Sequence, residues 1–153
     1  MFNWFNKKAA DFFSIHEKER IVNAVKTAEL QTSGEVRIFI ESKCSFVNPL
    51  DRAKELFDEL NMYNTAERNA VLLYIAMHHR QLAIFGDAGI YQKTGTTFWD
   101  EQVKTMLHHF NSNDYVEGIA EVVLKIGKAL QQHFPYNNMN DVNELPDDIV
   151  FGN

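Results

Sequence analysis

From Ile15 onward the apolar positions Ile21, Val22, Val25 and Ala28 recur at helical spacing, which predicts one stripe facing a core. Ser14 and Glu17 have the three-residue offset of a capping box, so the helix should start there and end near Thr32, Ser33 and Gly34. Period two takes over from Glu35 to Ser42. Val36, Ile38 and Ile40 share one face of this strand, while Arg37, Phe39 and Glu41 share the other. After a loop, Pro49 suits the first turn of a second helix whose buried side is Leu50, Ala53, Phe57 and Leu60. Asn61 to Arg68 is a polar link.

The chain is organised around the stretch from Asn69 to Ile90. Ala70 to Met77 is apolar at nearly every position, as in a strand covered on both faces. His78, His79 and Arg80 interrupt it and Leu82 to Phe85 resumes, so the two runs read as a β-hairpin. The hairpin opens into Gly86-Asp87-Ala88-Gly89, expected to be an acidic, flexible turn whose glycines allow backbone shapes other residues resist, including positive φ at Gly89. Two more helices come next, one lined by Trp99, Val103, Met106, Leu107 and Phe110, the other by Ile119, Val122, Val123, Ile126, Ala129 and Leu130. Pro135 ends the last of them.

Strand, helix, strand implies a right-handed crossover between parallel strands, with the hairpin adding an antiparallel third. The predicted fold class is α/β, a three-layer α/β/α sandwich with a small mixed β-sheet flanked by about four helices. The predicted organisation is an aromatic N-terminal segment over 1–13, the domain over 14–135, and an acidic tail over 136–153. That tail carries Asp141, Glu144, Asp147 and Asp148 and should lie across the surface, pinned by Leu145, Ile149, Val150 and Phe151.

Composition narrows the function classes. The 153 residues suffice for one domain with a real core. A formal net charge of −6 argues against phosphate-backbone binding, so no nucleic acid is expected. The one cysteine, Cys44, is read as an idle thiol of a reducing compartment. Phe2, Trp4, Phe5, Phe12 and Phe13 crowd the N-terminus, but Asn3, Asn6, Lys7 and Lys8 break any signal-peptide pattern. No apolar run is long enough to span a membrane, and the aromatic segment is read as packing onto the domain rather than as a surface anchor. The expectation is a cytoplasmic protein without membrane contact.

The topology brings Glu35 at the start of the first strand, Asn69 at the start of the second and Asp87 at the end of the third to one rim of the sheet. Three oxygen-bearing side chains there suit a hard cation, Ca²⁺ or Mg²⁺. On topology alone, capping of turns by Glu35 and Asp87 is the favoured reading. The pairs His78-His79 and His108-His109 point apart and make no zinc clamp, and no phosphate loop or nucleophilic triad can be assembled. The helix after Asp87 could hold a phosphate on its first N–H groups, although Asp87 itself would repel it.

Four phrases carry a family resemblance: Glu29 followed by Thr32-Ser33-Gly34-Glu35-Val36-Arg37; Arg68-Asn69-Ala70-Val71-Leu72-Leu73-Tyr74; Ile84-Phe85-Gly86-Asp87-Ala88-Gly89-Ile90; and Asn113-Asp114-Tyr115 with Gly118-Ile119. Together they resemble the signature segments of the TPM domain, and Asn143-Glu144-Leu145-Pro146 is similar to the tail of its short bacterial members. The resemblance implies an α/β/α sandwich, divalent-cation binding and, for plant members, acid phosphatase activity and photosystem repair. Carried over by motif, the metal candidates are Glu35, Asn69, Asp87, Asp100 and Asp114. Ala70 departs from the glycine usual after the asparagine, and the membrane anchor of many bacterial relatives is missing from the phrases here. The functional expectation is a calcium-binding module that acts through an unidentified protein partner. The alternative is a metal-dependent, acid-phosphatase-like hydrolase of phosphomonoesters.

Overall fold

Ser14 and Glu17 close the expected capping box. The Glu17 N–H donates to Ser14 Oγ at 3.1 Å and the Ser14 N–H to Glu17 Oε1 at 2.8 Å. They start α1 (Ile15–Glu29), which buries Ile21, Ala24, Val25 and Ala28. The computed structural model describes residues 8–136 and 149–153; Phe2, Trp4, Phe5 and the tail positions Asp141, Glu144, Leu145, Asp147 and Asp148 lie outside them. A single 3₁₀ turn, Ala9–Phe12, precedes α1.

α1 stops short of the expected Thr32-Ser33-Gly34. Thr32 and Ser33 are committed elsewhere: the Thr32 hydroxyl and the Ser33 N–H both donate to the Phe134 carbonyl, tying this turn to the end of the last helix. The helix end is joined to the next strand instead by Glu29, whose Oε2 accepts the Val36 N–H at 2.8 Å.

β1 (Glu35–Glu41) is followed by α2 (Pro49–Glu59), with Pro49 in its first turn and Asn48 accepting the Leu50 N–H at 2.9 Å. β2 (Ala70–Ala76) runs parallel to β1, with Glu35 opposite Ala70 and Glu41 opposite Ala76. β3 (Gln81–Gly86) returns antiparallel along β2. All seven residues of β2 are buried, as its unbroken apolar run predicts.

Two elements were not foreseen. Ala88–Thr94 is a short helix, α3, so among the described residues five α-helices flank the sheet rather than about four. It is followed by α4 (Thr96–Asn111) and α5 (Tyr115–His133). Seven residues broken off by Gly95, at φ 74°, give no helical period to read. The end of the tail, expected to lie across the surface, instead forms β4 (Ile149–Phe151), parallel to β1 in the order β3-β2-β1-β4. Three residues are too few to announce a strand, and their partner is more than a hundred positions away.

The sheet separates two cores. Val36, Ile38, Ile40, Val71, Leu73 and Ile75 face α1, α4 and α5. Phe39, Leu72 and Tyr74 face Ala53, Leu56 and Phe57 of α2 and Met62. This is the expected three-layer α/β/α sandwich.

Candidate functional site

The rim is assembled by the parallel start of β1 and β2 and the return of β3. The Glu35 N–H donates to the Asn69 carbonyl at 3.4 Å, and the Asp87 N–H to the Ala70 carbonyl at 3.0 Å. The expected convergence of Glu35, Asn69 and Asp87 is therefore present. All three are buried, at 5%, 1% and 1% exposure.

Asp87 is already engaged. Its Oδ1 accepts the Ala88 N–H at 2.7 Å, making it the N-cap of α3, and Arg68 lies across it in a fork, Nε to Oδ2 at 2.6 Å and Nη2 to Oδ1 at 2.7 Å. The Asp87 hydrogen bonds and charge hold the Arg68 guanidinium above its ordinary pKa. The guanidinium also stands 5.2 Å from the Tyr63 ring centre. Arg68 takes a left-handed backbone, φ 53°, which turns its carbonyl to receive the N–H groups of Gly89 at 2.8 Å and Ile90 at 3.3 Å. The turn is thus a helix start clasped to the polar link, not a flexible loop. Gly89 does not adopt positive φ; it is glycine because a Cβ would come within 2.1 Å of the Glu67 carbonyl oxygen and 2.6 Å of that of Arg68. The first N–H groups of α3, a conceivable phosphate cradle, are spent on Asp87 and Arg68.

Asn69 is held differently. Its Nδ2 donates to Ser33 Oγ at 3.2 Å and lies 3.5 Å from Glu67 Oε2, while Ser33 Oγ donates to Glu67 Oε2 at 3.1 Å. A carboxylate can only accept, so the amide nitrogen faces Glu67 and the amide oxygen faces away. That oxygen, Oδ1, is buried without a hydrogen-bond partner among the described residues. An orphaned acceptor in such a place costs free energy unless something fills it.

The other candidates separate. Asp100, exposed on the first turns of α4, lines a groove of about 680 Å³ together with Asp87. Asp114 is not brought to the rim. α5 ends at the rim, where Phe134 meets Ser33, so its beginning lies at the far end beside the hairpin tip, where Arg80 donates to Asn113 Oδ1 at 3.2 Å. There Asp114 Oδ2 lies 3.2 Å from His109 Nδ1, and Glu121 Oε2 lies 2.8 Å from its Nε2. Among the described residues no group of three or more His, Cys, Asp and Glu is placed to hold a metal. The five residues read from sequence therefore do not form one ligand set. Cys44 is buried, its Sγ donating to the Phe46 carbonyl at 3.5 Å, as befits an idle thiol.

Residues 7–129 match the family model of the TPM domain. The chain belongs to the TPM domain family. The BA42 protein of the psychrophilic bacterium Bizionia argentinensis, solved by NMR, is 35% identical, with 90% of this chain and 94% of that one aligned at a TM-score of 0.81. Two more distant NMR structures share the fold. The N-terminal domain of a P. gingivalis protein is 18% identical, with 84% of each chain aligned at a TM-score of 0.66. That of cg2496 from Corynebacterium glutamicum is 13% identical, with 77% of this chain and 74% of that one aligned at 0.61. Among curated proteins, none matches the chain. No helix among the described residues of this TPM domain is long and apolar enough to cross a membrane.

A second polar cluster of this TPM domain escaped the sequence reading. At the far end of β1, Glu41 accepts Arg52 Nε at 2.9 Å and Nη2 at 3.0 Å, and also accepts the Tyr74 hydroxyl. Burial pushes the Tyr74 hydroxyl well above the usual tyrosine pKa, and the Glu41 hydrogen bond holds it there. Glu41 likewise raises Arg52. The arrangement pins α2 to the sheet and leaves no free group for chemistry. The only hint in the sequence is a glutamate on the strand face that also carries Arg37 and Phe39.

Proposed function

We propose that this TPM domain is a binding module that holds a divalent cation, calcium or magnesium, at the rim around Asn69 and acts by contacting another protein. The buried, unpartnered Asn69 Oδ1 carries this reading. A neutral amide oxygen is a ligand type that hard cations accept, and a half-turn of the amide would aim it at Glu67 and Ser33, which its nitrogen now faces. With the amide so turned, Glu67 and Ser33 would complete the donor set, and Glu67 and the neighbouring Glu35 would supply negative charge. Asp87 joins only by giving up Arg68, so its first role is to fix α3 against the polar link. The cation would neutralise the acidic corner and hold the three strand ends together.

The hydrolase alternative asks for more. A phosphoryl group in transfer needs a cationic side chain beside any metal, together with a base. The nearest arginine, Arg68, is occupied by Asp87, and the start of α3 has no N–H to spare. Binding without turnover is the better-supported reading.

The test is a titration of the chelator-treated protein with calcium and with magnesium, followed by amide NMR. Saturable shifts confined to Ser33, Glu35, Glu67, Asn69 and their neighbours are expected, weakened at least about tenfold, roughly 1.4 kcal/mol, by Glu67→Gln or Asn69→Ala. Shifts spread over exposed carboxylates, or unchanged in both variants, would remove the cation from the proposal.

A further inference from the structure

We infer that the free edge of β3 receives an extended peptide from another protein, which adds to the sheet as a fifth strand. This names the contact surface of the binding module proposed above, and it does not depend on the cation. Among the described residues β3 pairs on one side only, with β2. The Asp87 N–H points at Ala70, and antiparallel ladders alternate, so Ala83 and Phe85 turn their main chains toward β2 while Leu82, Ile84 and Gly86 turn theirs outward. None of the turn and loop hydrogen bonds between described residues reaches the N–H or carbonyl of these three.

The edge is open yet recessed. Leu82, Ala83 and Ile84 are only 6%, 5% and 7% exposed, because the 680 Å³ groove runs along β3 between two helical walls. Leu50 and Tyr63 stand on the α2 side, Trp99 and Val103 on the α4 side. The benzo edge of Trp99 lies close over Gly86, and its indole Nε1 is buried without a hydrogen-bond partner among the described residues. A second copy of this chain would have to bring its own β3, walled in the same way, to within the ~4.8 Å that pairing requires, helical wall against helical wall. A single extended segment meets no such obstacle.

The walls also dictate its chemistry. Side chains of an added strand alternate between the two faces, each meeting apolar side chains. Of the charged residues that line the groove, Lys54 on the α2 side and Asp100 on the α4 side stand outside any ion pair among the described residues. The matching segment is therefore aliphatic, of about six residues, with an acidic residue toward Lys54 and a basic one toward Asp100. Main-chain hydrogen bonds would give affinity and the two walls selectivity, as in strand addition generally.

The probe is the blocked hexapeptide Val-Glu-Ile-Val-Lys-Val, whose glutamate and lysine fall on opposite faces. It is titrated into the ¹⁵N-labelled full chain in chelator, so that an absent cation response leaves this experiment unaffected. Saturable shifts at Leu82, Ile84, Gly86 and the Trp99 indole N–H are expected, with the outward amides newly protected from exchange. N-methylation of alternate peptide nitrogens should weaken binding at least about tenfold. The double variant Lys54→Glu with Asp100→Lys, both exposed positions, should prefer the peptide with glutamate and lysine exchanged. No shift at β3 with peptide at about 1 mM, equal binding of the methylated peptide, or self-association through β3 without peptide would each overturn the inference.

Discussion

At the scale of single residues, the rim is governed by how closely two pieces of backbone approach. Gly89 rests against the carbonyls of Glu67 and Arg68, and the same two residues position the carboxylate and guanidinium of the site. Gly89→Val must push that backbone away. The expected loss is about 1–3 kcal/mol from overpacking, read from urea denaturation. Because the displaced segment carries Glu67 and Arg68, shifts in the NMR signals of Arg68, Asn69 and Asp87 should accompany it. A variant of parental stability with unshifted signals would mean the link yields freely and does not position the rim. The sequence marks Gly89 as special but misleads about the reason. Close approach of a distant backbone leaves no local signature, whereas positive φ is a local property that the eye reads into any glycine near a turn.

At the scale of elements, α4 and α5 meet through His109, whose two ring nitrogens face Asp114 and Glu121, with Lys125 on the other oxygen of Glu121 at 3.2 Å. The Glu121 hydrogen bond raises the His109 pKa above its ordinary value, and His109 in turn lowers that of Glu121. A folded-state pKa above the unfolded one gives stability that is fully present below the unfolded value, about 6.5, and lost as pH rises through the folded value. The melting-temperature difference between parent and His109→Gln should therefore favour the parent near pH 5.5 and shrink toward about pH 8.5. The difference is the quantity to read, since burial lowers the pKa of His78 and its contribution runs the opposite way. A difference independent of pH would show that His109 acts by packing alone. Of these elements, α4 and α5 were legible because each keeps its stripe for three turns or more. α3 and β4 were not, because seven and three residues show no period. Adjacent histidines suggested exposed turn residues, and the acids Asp114 and Glu121, at the start and on the second turn of the next helix, decided otherwise for His109.

At the scale of the whole molecule, the layered order was legible because the β2 run is long, unbroken and apolar; Leu73 at its centre is fully buried. Leu73→Ala should cost roughly 2–5 kcal/mol of the ~5–15 kcal/mol a domain of this kind holds, measured as a lowered urea midpoint with an unchanged slope. Loss below about 1 kcal/mol would mean the core collapses around the gap. The functional layout was legible only in part. Topology brought Glu35, Asn69 and Asp87 to one rim, but pairing decides what a carboxylate can do, and no spacing rule announces that Arg68 turns back onto Asp87 from nineteen residues away. That pairing sets the last expectation. With calcium or magnesium present, an aryl phosphate should show no turnover above the protein-free blank, because the rim's arginine, Arg68, is committed to Asp87 rather than free for the phosphoryl oxygens. Freeing the arginine with Asp87→Asn should not create turnover either, since the change removes the carboxylate that holds the guanidinium in place. Metal-dependent turnover by the parent, abolished in a folded Asp87→Asn variant, would replace the binding module with the hydrolase.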